Sequence, residues 1–244
     1  MKVIKLEEVD STNLYAKNSL STLDDKSIII AKRQTAGRGR LNRNWVDLGN
    51  QNLFMSIVLK PSKQFNELYS NLTQYLSVCL CKVLENEYIL TPQIKWPNDV
   101  LIENKKIAGI LCETVIQGST FKGIVLGIGV NLNANIDDIK NIPNKVATAL
   151  NIEVKKEINI EEFTNKLLEE FFNHYEEFLL KGFGYIKSDY IQRNCFLDKE
   201  LNIQTFNEIK TGIAKSINNS GELILETKED KNVVLTIGDI LWAI

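Results

Sequence analysis

Two glycines and two arginines alternate over residues 37–40, which read Gly-Arg-Gly-Arg. Guanidinium groups bind phosphate and carboxylate through paired N–H donors. Glycine has no side chain, so backbone N–H groups can also approach an anion closely. The segment therefore predicts a loop that holds anions. It suits a reaction in which a carboxylate and a phosphate must meet.

Three further segments add polar and charged groups in a fixed order. Residues 10–13 read Asp-Ser-Thr-Asn, residues 95–99 read Lys-Trp-Pro-Asn-Asp, and residues 106–109 read Lys-Ile-Ala-Gly. The first segment favours the start of a helix, because Asp and Ser are preferred N-cap residues. The other two are expected at strand ends, where side chains can reach a cleft.

The lysines of these segments allow more than one interpretation. The turn after Lys95 either places Trp96 in the core or directs Lys95 and Asp99 at one cleft, and we favour the cleft. There, the Lys95 ammonium would bind a phosphate, and the Asp99 carboxylate would bind a metal ion or accept a proton. Strand alternation puts Lys106 on one face with small apolar residues, which predicts the rim of a pocket rather than a lysine in water.

Two other residues are candidates for a nucleotide site. Trp45, beyond the arginine segment, would either stack on a base or cover a pocket, or else anchor the core, and the sequence favours neither role. Asn131 follows two strand glycines, Gly127 and Gly129, which permit close approach of a ligand. This spacing is not a dinucleotide-binding fingerprint.

The composition limits the classes of protein. The chain has 244 residues, of which 44% are hydrophobic and 25% charged, and a net charge of −2. This charge provides no positive field, so we expect neither nucleic-acid nor membrane binding. No signal peptide or membrane-spanning run is evident, which predicts a cytoplasmic protein. Four cysteines without Cys-x-x-Cys spacing predict reduced thiols, and the single histidine, His174, excludes His-rich zinc sites.

Hydrophobic periodicity predicts both strands and helices. Strands are expected over 27–33, 53–59, 93–96 and 121–133, and helices over 12–20, 68–84 and from Asn159 to about Gly182. After about Cys195 short strands follow one another, which predicts a small all-β module beside a mixed α/β domain.

Together and in this order, the four segments resemble those of biotin–protein ligases, or biotin–[acetyl-CoA-carboxylase] ligases. The similarity runs from about Ile4 to the C-terminus. It implies an α+β fold, with a mixed-sheet catalytic domain and flanking helices over 1–194 and a small SH3-like β-barrel over 195–244. It also implies two steps: biotin and MgATP form biotinyl-5′-AMP, and a lysine of a biotin carboxyl carrier domain then takes the biotin.

The resemblance gives individual residues expected roles. Catalysis is expected of Lys106, Arg38, Lys95 and Asp99. Biotin contacts are expected of Ser11, Thr12, Asn13, Gln34, Arg38, Gly39, Arg40 and Lys106. Nucleotide contacts are expected of Arg40 and Asn131, and Trp45 joins them as the stacking candidate found above from its position alone. No ligands are assigned to the Mg²⁺ that accompanies ATP.

Two features depart from the family pattern. Asn42 stands where relatives usually carry glycine after Gly-Arg-Gly-Arg-x, and asparagine tolerates left-handed backbone better than most residues. The chain begins almost at its Asp-Ser-Thr-Asn segment, so we expect no DNA-binding domain and no repressor role. The expected partners are the carrier domain, biotin and ATP, and a homodimer is compatible with the resemblance.

Two other functions remain open. A lipoate or octanoate ligase shares the fold and the acyl chemistry, but its arginine-rich signature with successive glycines and a nearby histidine is absent. A nucleic-acid-binding module would use the arginine loop. Against it stand the net charge of −2 and the lack of interleaved exposed aromatic residues.

Overall fold

The computed structural model describes residues 2–46, 51–60, 71–140, 146–206 and 208–241, with the backbone alone at Asn42. Within these ranges the chain forms twelve strands and six α-helices, which confirms the predicted α+β class. Residues 68–70 of the predicted helix over 68–84 lie outside the described residues. No helix in the described ranges is both long and apolar enough to cross a membrane.

The strands are β1 (Val3–Val9), β2 (Ile28–Gln34), β3 (Leu53–Leu59), β4 (Gln93–Lys95), β5 (Asp99–Ile102), β6 (Lys105–Gln117), β7 (Thr120–Val130), β8 (Glu200–Gln204), β9 (Ile209–Ile217), β10 (Leu223–Glu226), β11 (Val233–Leu235) and β12 (Asp239–Leu241). The α-helices are α1 (Thr12–Asn18), α2 (Leu72–Tyr88), α3 (Ile136–Lys140), α4 (Leu150–Val154), α5 (Ile160–Lys181) and α6 (Phe183–Gln192). Short 3-10 helices lie at Leu20–Thr22 and Arg40–Asn42.

The chain divides into two compact units. The first comprises residues 1–66 and 104–168, and the second comprises residues 67–103 and 169–244. The boundary between residues 194 and 195 that we expect from the sequence is not one of these division points, and it stays a prediction.

The first unit is built on a mixed sheet with the strand order β1-β2-β3-β7-β6. Strands β1 and β2 are parallel, and the other neighbours in this unit are antiparallel. The central strand β3 is buried along its whole length, as expected for a strand covered on both faces. The edge strand β1 is instead largely exposed.

Helix α1 packs on this sheet through a compact apolar cluster. Ala16 of the helix and Leu20 just after it are buried with Ile29, Val58 and Val125, which come from β2, β3 and β7. The cluster holds α1 in place over the sheet. The polar segment over 10–13, which follows β1 and includes the first two residues of α1, is thereby fixed at the carboxyl end of β1.

The second unit contains α2, α6, the antiparallel hairpin β4-β5 and a separate antiparallel sheet. This sheet has the order β11-β10-β9-β8-β12 and is the β module that the sequence predicts. A turn of the module packs on α2: Asn71 donates to the Ser220 carbonyl at 2.9 Å, and Gln74 donates to the Gly221 carbonyl at 2.7 Å. Both acceptors lie in the turn that joins β9 to β10.

Helix α5 begins and ends where the sequence predicts. The Asn159 side chain accepts hydrogen bonds from the amides of Glu161 and Glu162, each at 3.1 Å, which is the geometry of an N-cap. After Lys181 the chain reaches Gly182, whose φ of 64° is a conformation that glycine adopts without steric cost.

Candidate active site

The segment Asp-Ser-Thr-Asn forms the junction between β1 and α1. Ser11 occupies the N-cap position of α1, and its amide donates to the Asp10 carboxylate at 2.6 Å. Ser11, Thr12 and Asn13 are only 2%, 4% and 4% exposed. Polar side chains at this depth require hydrogen-bond partners. Those of Thr12 and Asn13 define the centre of the site.

A buried hydrogen-bonded network connects Thr12 and Asn13 to two strands. The Thr12 amide and hydroxyl donate to Gln34 Oε1 at 2.8 and 3.2 Å. Ser56 Oγ lies 2.8 Å from Thr12 Oγ1 and donates to Asn13 Oδ1 at 2.6 Å. The structure thus brings together three residues that the sequence predicts and adds Ser56, from the middle of β3. The sequence does not single out Ser56, because it stands within an otherwise apolar strand segment. Only the strand register shows that it faces Thr12 and Asn13.

Gly127 makes room for this network. A Cβ atom at Gly127 would lie 2.1 Å from Asn13 Oδ1, far inside contact distance. The glycine of β7 therefore serves the close approach of a polar side chain from α1. In the sequence, the same glycine predicts the close approach of a ligand.

Glu113 on β6 completes the network and is a second residue that sequence reasoning missed. Its carboxylate accepts hydrogen bonds from Lys17 Nζ at 2.7 Å and Asn13 Nδ2 at 3.0 Å, and Arg38 Nη1 lies 4.0 Å away. Burial raises the pKa of Glu113, but the hydrogen bonds and the charges of Lys17 and Arg38 outweigh burial and hold this pKa below its ordinary value. Glu113 is therefore a carboxylate at neutral pH.

The arginine segment forms a loop that is closed by its own backbone. The Trp45 amide donates to the Gly37 carbonyl at 3.0 Å, and the Gly39 amide donates to the Arg43 carbonyl at 2.7 Å. A Cβ atom at Gly37 would lie 2.7 Å from the Trp45 carbonyl oxygen, so the two sides of the loop require glycine there. The Gly39 amide is therefore occupied within the loop, and the anion contacts expected of Arg38 and Arg40 stay a prediction.

The tip of this loop contains an unexpected backbone conformation. Leu41 has φ 51° and ψ 41°, in the left-handed region, whereas the sequence suggests Asn42 for that role. A side chain such as leucine is uncommon in this region, at a cost of roughly 1–2 kcal/mol. Strain of this kind collects where the surrounding structure fixes the backbone for a function.

The indole of Trp45 lies against a pair of glycines. Gly109 of β6 and Gly129 of β7 face each other in the ladder. Cβ atoms at these positions would lie 2.7 and 2.6 Å from ring atoms of Trp45. Trp45 Nε1 is buried and has no hydrogen-bond partner among the described residues. In this structure the indole fills the space that the glycines leave open, so Trp45 lies in the site beside Lys106.

Lys106 reaches the same place. Its Nζ lies 5.3 Å from the centroid of the Trp45 ring, a cation–π contact, and would be 3.1 Å from a Cβ at Gly109. Simple strand alternation predicts that the Lys106 side chain lies on the same face as Ala108. In the structure it ends beside Gly109 instead. The neighbouring Lys105 differs, because it lies 3.5 Å from the Glu153 carboxylate.

Asn131 is a structural link at the end of β7. It is 5% exposed, its amide donates to the Ile107 carbonyl at 2.9 Å, and its side chain donates to the Thr148 carbonyl at 3.0 Å. These bonds tie β7 to β6 and to the segment before α4. The nucleotide contact expected of Asn131 stays a prediction.

Lys95 and Asp99 belong to the second unit, whereas all the residues above belong to the first. Lys95 ends β4 and Asp99 begins β5, directly opposite in the hairpin. Between them Trp96 is 2% exposed and donates through Nε1 to the Gly221 carbonyl at 3.3 Å. Trp96 therefore lies in the core, while Lys95 and Asp99 are neighbours at the base of the turn.

Two cysteines and the single histidine lie outside the network and loop described above. Burial raises the pKa of Cys112 to about 12 and that of Cys195 to about 11, so both thiols are protonated at neutral pH and are poor nucleophiles. The hydroxyl of Tyr185 lies 3.1 Å from His174 Nδ1. Within the described ranges no group of three or more His, Cys, Asp or Glu side chains could hold a metal ion.

The sequence profile of the Biotin/lipoate A/B protein ligase family matches residues 5–131. This range contains the buried network, the arginine loop, Trp45 and Lys106. The chain therefore belongs to this family.

Individual relatives match most of the length of this chain. A biotin–[acetyl-CoA-carboxylase] ligase from Paracoccus denitrificans is 30% identical over 237 residues, which cover 94% of this chain and 96% of that protein. The bifunctional ligase/repressor BirA of Bacillus spizizenii is 30% identical over 203 residues, which cover 83% of this chain, and the chain spans 62% of the length of that relative. The biotin protein ligase of Aquifex aeolicus, solved in complex with biotin and ATP, superimposes with a TM-score of 0.83 at 27% identity and covers 98% of this chain and 97% of its own.

Proposed function

We propose that this chain is an ATP-dependent biotin–protein ligase. In the first step a carboxylate oxygen of biotin attacks the α-phosphorus of ATP, which forms biotinyl-5′-AMP and releases pyrophosphate. In the second step the amine of a lysine on a biotin carboxyl carrier domain attacks the acyl carbon, which forms an amide and releases AMP and a proton. Relatives of matching length that are named biotin–[acetyl-CoA-carboxylase] ligases support this proposal.

The observation that carries the proposal is the buried network at the start of α1. The hydroxyls of Ser11 and Thr12 and the carboxamide of Asn13 offer both donors and acceptors at a depth without bulk water, and the half-buried carboxamide of Gln34 adjoins them. The ureido ring of biotin presents two N–H donors and one carbonyl acceptor, which such a wall can satisfy. The dithiolane ring of lipoate and the chain of octanoate carry no such N–H and carbonyl groups, so they would gain no hydrogen bonds from this wall. The network thus favours biotin.

Cations of the arginine loop and β6 suit the first chemical step. A carboxylate and a triphosphate repel each other, so positive groups must neutralise both before attack. In our proposal the guanidinium groups of Arg38 and Arg40 hold the biotin carboxylate and the adenylate phosphate, Gly39 lets the backbone between them lie close to biotin, and Lys106 bridges the reacting oxygens. Such groups stabilise the charge that develops on the phosphoryl oxygens. Lys95 and Asp99 would support the phosphate side.

The nucleotide would lie near the loop and the glycine pair. We propose that Trp45 stacks on adenine, that Arg40 contacts the phosphate, and that Asn131 lies close by. Mg²⁺ usually takes most of its ligands from phosphate oxygens and water. We therefore propose that Mg²⁺ arrives with ATP. The ion would neutralise charge on the phosphates.

The proposed macromolecular partner is a biotin carboxyl carrier domain, and a homodimer is the proposed assembly. The relatives named acetyl-CoA-carboxylase ligases support the carrier. We place the activity in the cytoplasm, where ATP and carboxylases are found together.

Single-turnover release of pyrophosphate tests the function. We expect release with biotin and MgATP, and no comparable release with lipoate or octanoate. With a carrier domain added, mass spectrometry should find one biotin on its target lysine. A carrier with that lysine replaced by arginine is the control. Activation of lipoate or octanoate in preference to biotin would contradict the proposal.

A further inference from the structure

Lys17 and Arg38 compete for the same oxygen atom of Glu113. Lys17 Nζ lies 2.7 Å from Oε1, and Arg38 Nη1 lies 4.0 Å from that same atom. The other oxygen, Oε2, accepts the hydrogen bond from Asn13 at 3.0 Å. The carboxylate is therefore closely bound by Lys17 and Asn13 and only loosely approached by Arg38.

The surroundings make this difference matter. The Glu113 side chain is 19% exposed and that of Lys17 is 28% exposed, while that of Arg38 is 43% exposed. Charge interactions in such a partly buried place are screened less by water and salt than those on the open surface. An ionised Glu113 without Lys17 would attract the nearby guanidinium, which can bind a carboxylate through two parallel hydrogen bonds.

We propose that Lys17 is a positioning residue that keeps Arg38 available for the carboxylate of the substrate. Because Lys17 occupies Oε1 of Glu113, the Glu113 carboxylate does not bind Arg38, and the Arg38 guanidinium can bind the substrate carboxylate instead. This role rests on the function proposed above, in which Arg38 grips the biotin carboxylate. It adds Lys17 and Glu113 to the residues that decide how the site distinguishes a free acid from a neutral analogue.

The geometry gives the role a specific signature. Loss of Lys17 should weaken the binding of a ligand that has a carboxylate and leave the binding of the ring portion unchanged. Biotin and biotin methyl ester form such a pair, because they share the ring and differ in the charged group. The ratio of their dissociation constants therefore reports on Arg38, and any general disturbance of the ring site cancels out of it.

The test is isothermal titration of wild type, Lys17→Met, Lys17→Arg and the double variant Lys17→Met/Glu113→Gln with both ligands. Lys17→Met should weaken biotin binding about threefold to tenfold and change ester binding by less than about twofold. Lys17→Arg should keep the wild-type ratio. The double variant should restore that ratio, because glutamine still offers an oxygen to Asn13 but carries no charge to hold Arg38.

The other outcomes overturn the proposal. Equal weakening of acid and ester would make Lys17 a structural residue, and an unchanged acid affinity would remove its role. A lowered ratio that the double variant fails to restore would mean that Lys17 acts on the substrate directly. Lys5→Met is the matched control, because Lys5 forms an exposed pair with Glu161 at 3.0 Å, and its ratio should not move. If wild type binds no biotin, the proposed function itself fails.

Discussion

The ammonium nitrogen of Lys106 lies 5.3 Å from the centroid of the Trp45 ring, and both side chains rest on the strand glycine Gly109. An aromatic face holds a cation by about 0.5–1 kcal/mol at an exposed site and by about 2 kcal/mol where water is excluded, and this half-buried pair lies between the two cases. A phosphate group binds an ammonium more strongly, since it carries full negative charge. Lys106 can therefore exchange the ring for a substrate anion at little cost, while the ring keeps it in place beforehand.

Replacement of Lys106 by alanine should slow adenylate formation about 100- to 1,000-fold, because one cationic donor to the transition state is lost. The melting temperature should stay close to that of wild type. Lys105→Ala is the control, since Lys105 faces Glu153 and should keep a normal rate. Single-turnover pyrophosphate release measures both variants. A wild-type rate for Lys106→Ala would exclude the lysine from the reaction.

Gly127→Ala tests the buried network without removing any of its polar groups. The added methyl would meet Asn13 Oδ1 at 2.1 Å and displace that side chain. We expect biotin affinity to fall by at least about tenfold, because displaced buried groups lose their partners. Gly184→Ala in α6 is the matched control, since its Cβ would meet nothing within 4 Å. Equal affinities for the two variants in a titration with biotin would show that Asn13 is not part of the site.

The sequence predicts the parts of the fold that follow from regular apolar patterns. Strand β3 and helix α5 lie where periodicity and the Asn159 cap indicate. Strand β1 and helix α6 were not predicted. Strand β1 is an exposed edge strand whose residues alternate little in hydrophobicity. Helix α6 begins directly after Gly182 and is too short to show a clear apolar pattern. Such elements form because neighbours pair with them or cover them.

The candidate site shows the same division. Segments with unusual local composition draw attention to Thr12, Asn13 and Arg38, and the family resemblance adds Gln34. Ser56 and Glu113 join them only through strand register and the path of α1 across the sheet, which no local pattern contains. Leu41 likewise takes its left-handed conformation from the closure of the arginine loop and against its own preference.

Arg40→Gly should let the adenylate escape. Charge-assisted hydrogen bonds contribute roughly 1.5–3 kcal/mol each, so loss of one should speed release of biotinyl-5′-AMP about ten- to a hundredfold. Free mixed anhydride then acylates exposed lysines. The measurement is a biotin blot of an unrelated lysine-rich protein incubated with the variant, biotin and MgATP. An unlabelled bystander beside normal adenylate formation would show that Arg40 does not retain the intermediate.

Acid should remove the stabilisation that Glu113 provides. Its pKa lies below that of a glutamate in the unfolded chain, so its contribution is present above the unfolded value, about 4.3, and is lost as the pH falls through the folded value. The difference in free energy of unfolding between wild type and Glu113→Gln should therefore be larger at pH 7 than at pH 3. Urea denaturation at several pH values measures it. A difference independent of pH would mean that the carboxylate charge contributes nothing to folding.

The hydrogen bonds between α2, Trp96 and the turn at Gly221 have a consequence for anyone who wishes to shorten this chain. Gly221 accepts from both Gln74 and Trp96, and Asn71 donates to Ser220. A fragment ending at residue 194 would lose these three hydrogen bonds and would expose to water the side chains that the turn covers, Trp96 among them, at about 25 cal/mol for each Å² of apolar surface. A trimmed version would therefore need polar replacements for the newly exposed apolar side chains before it could be produced as a soluble reagent. Retaining the turn is the simpler construction.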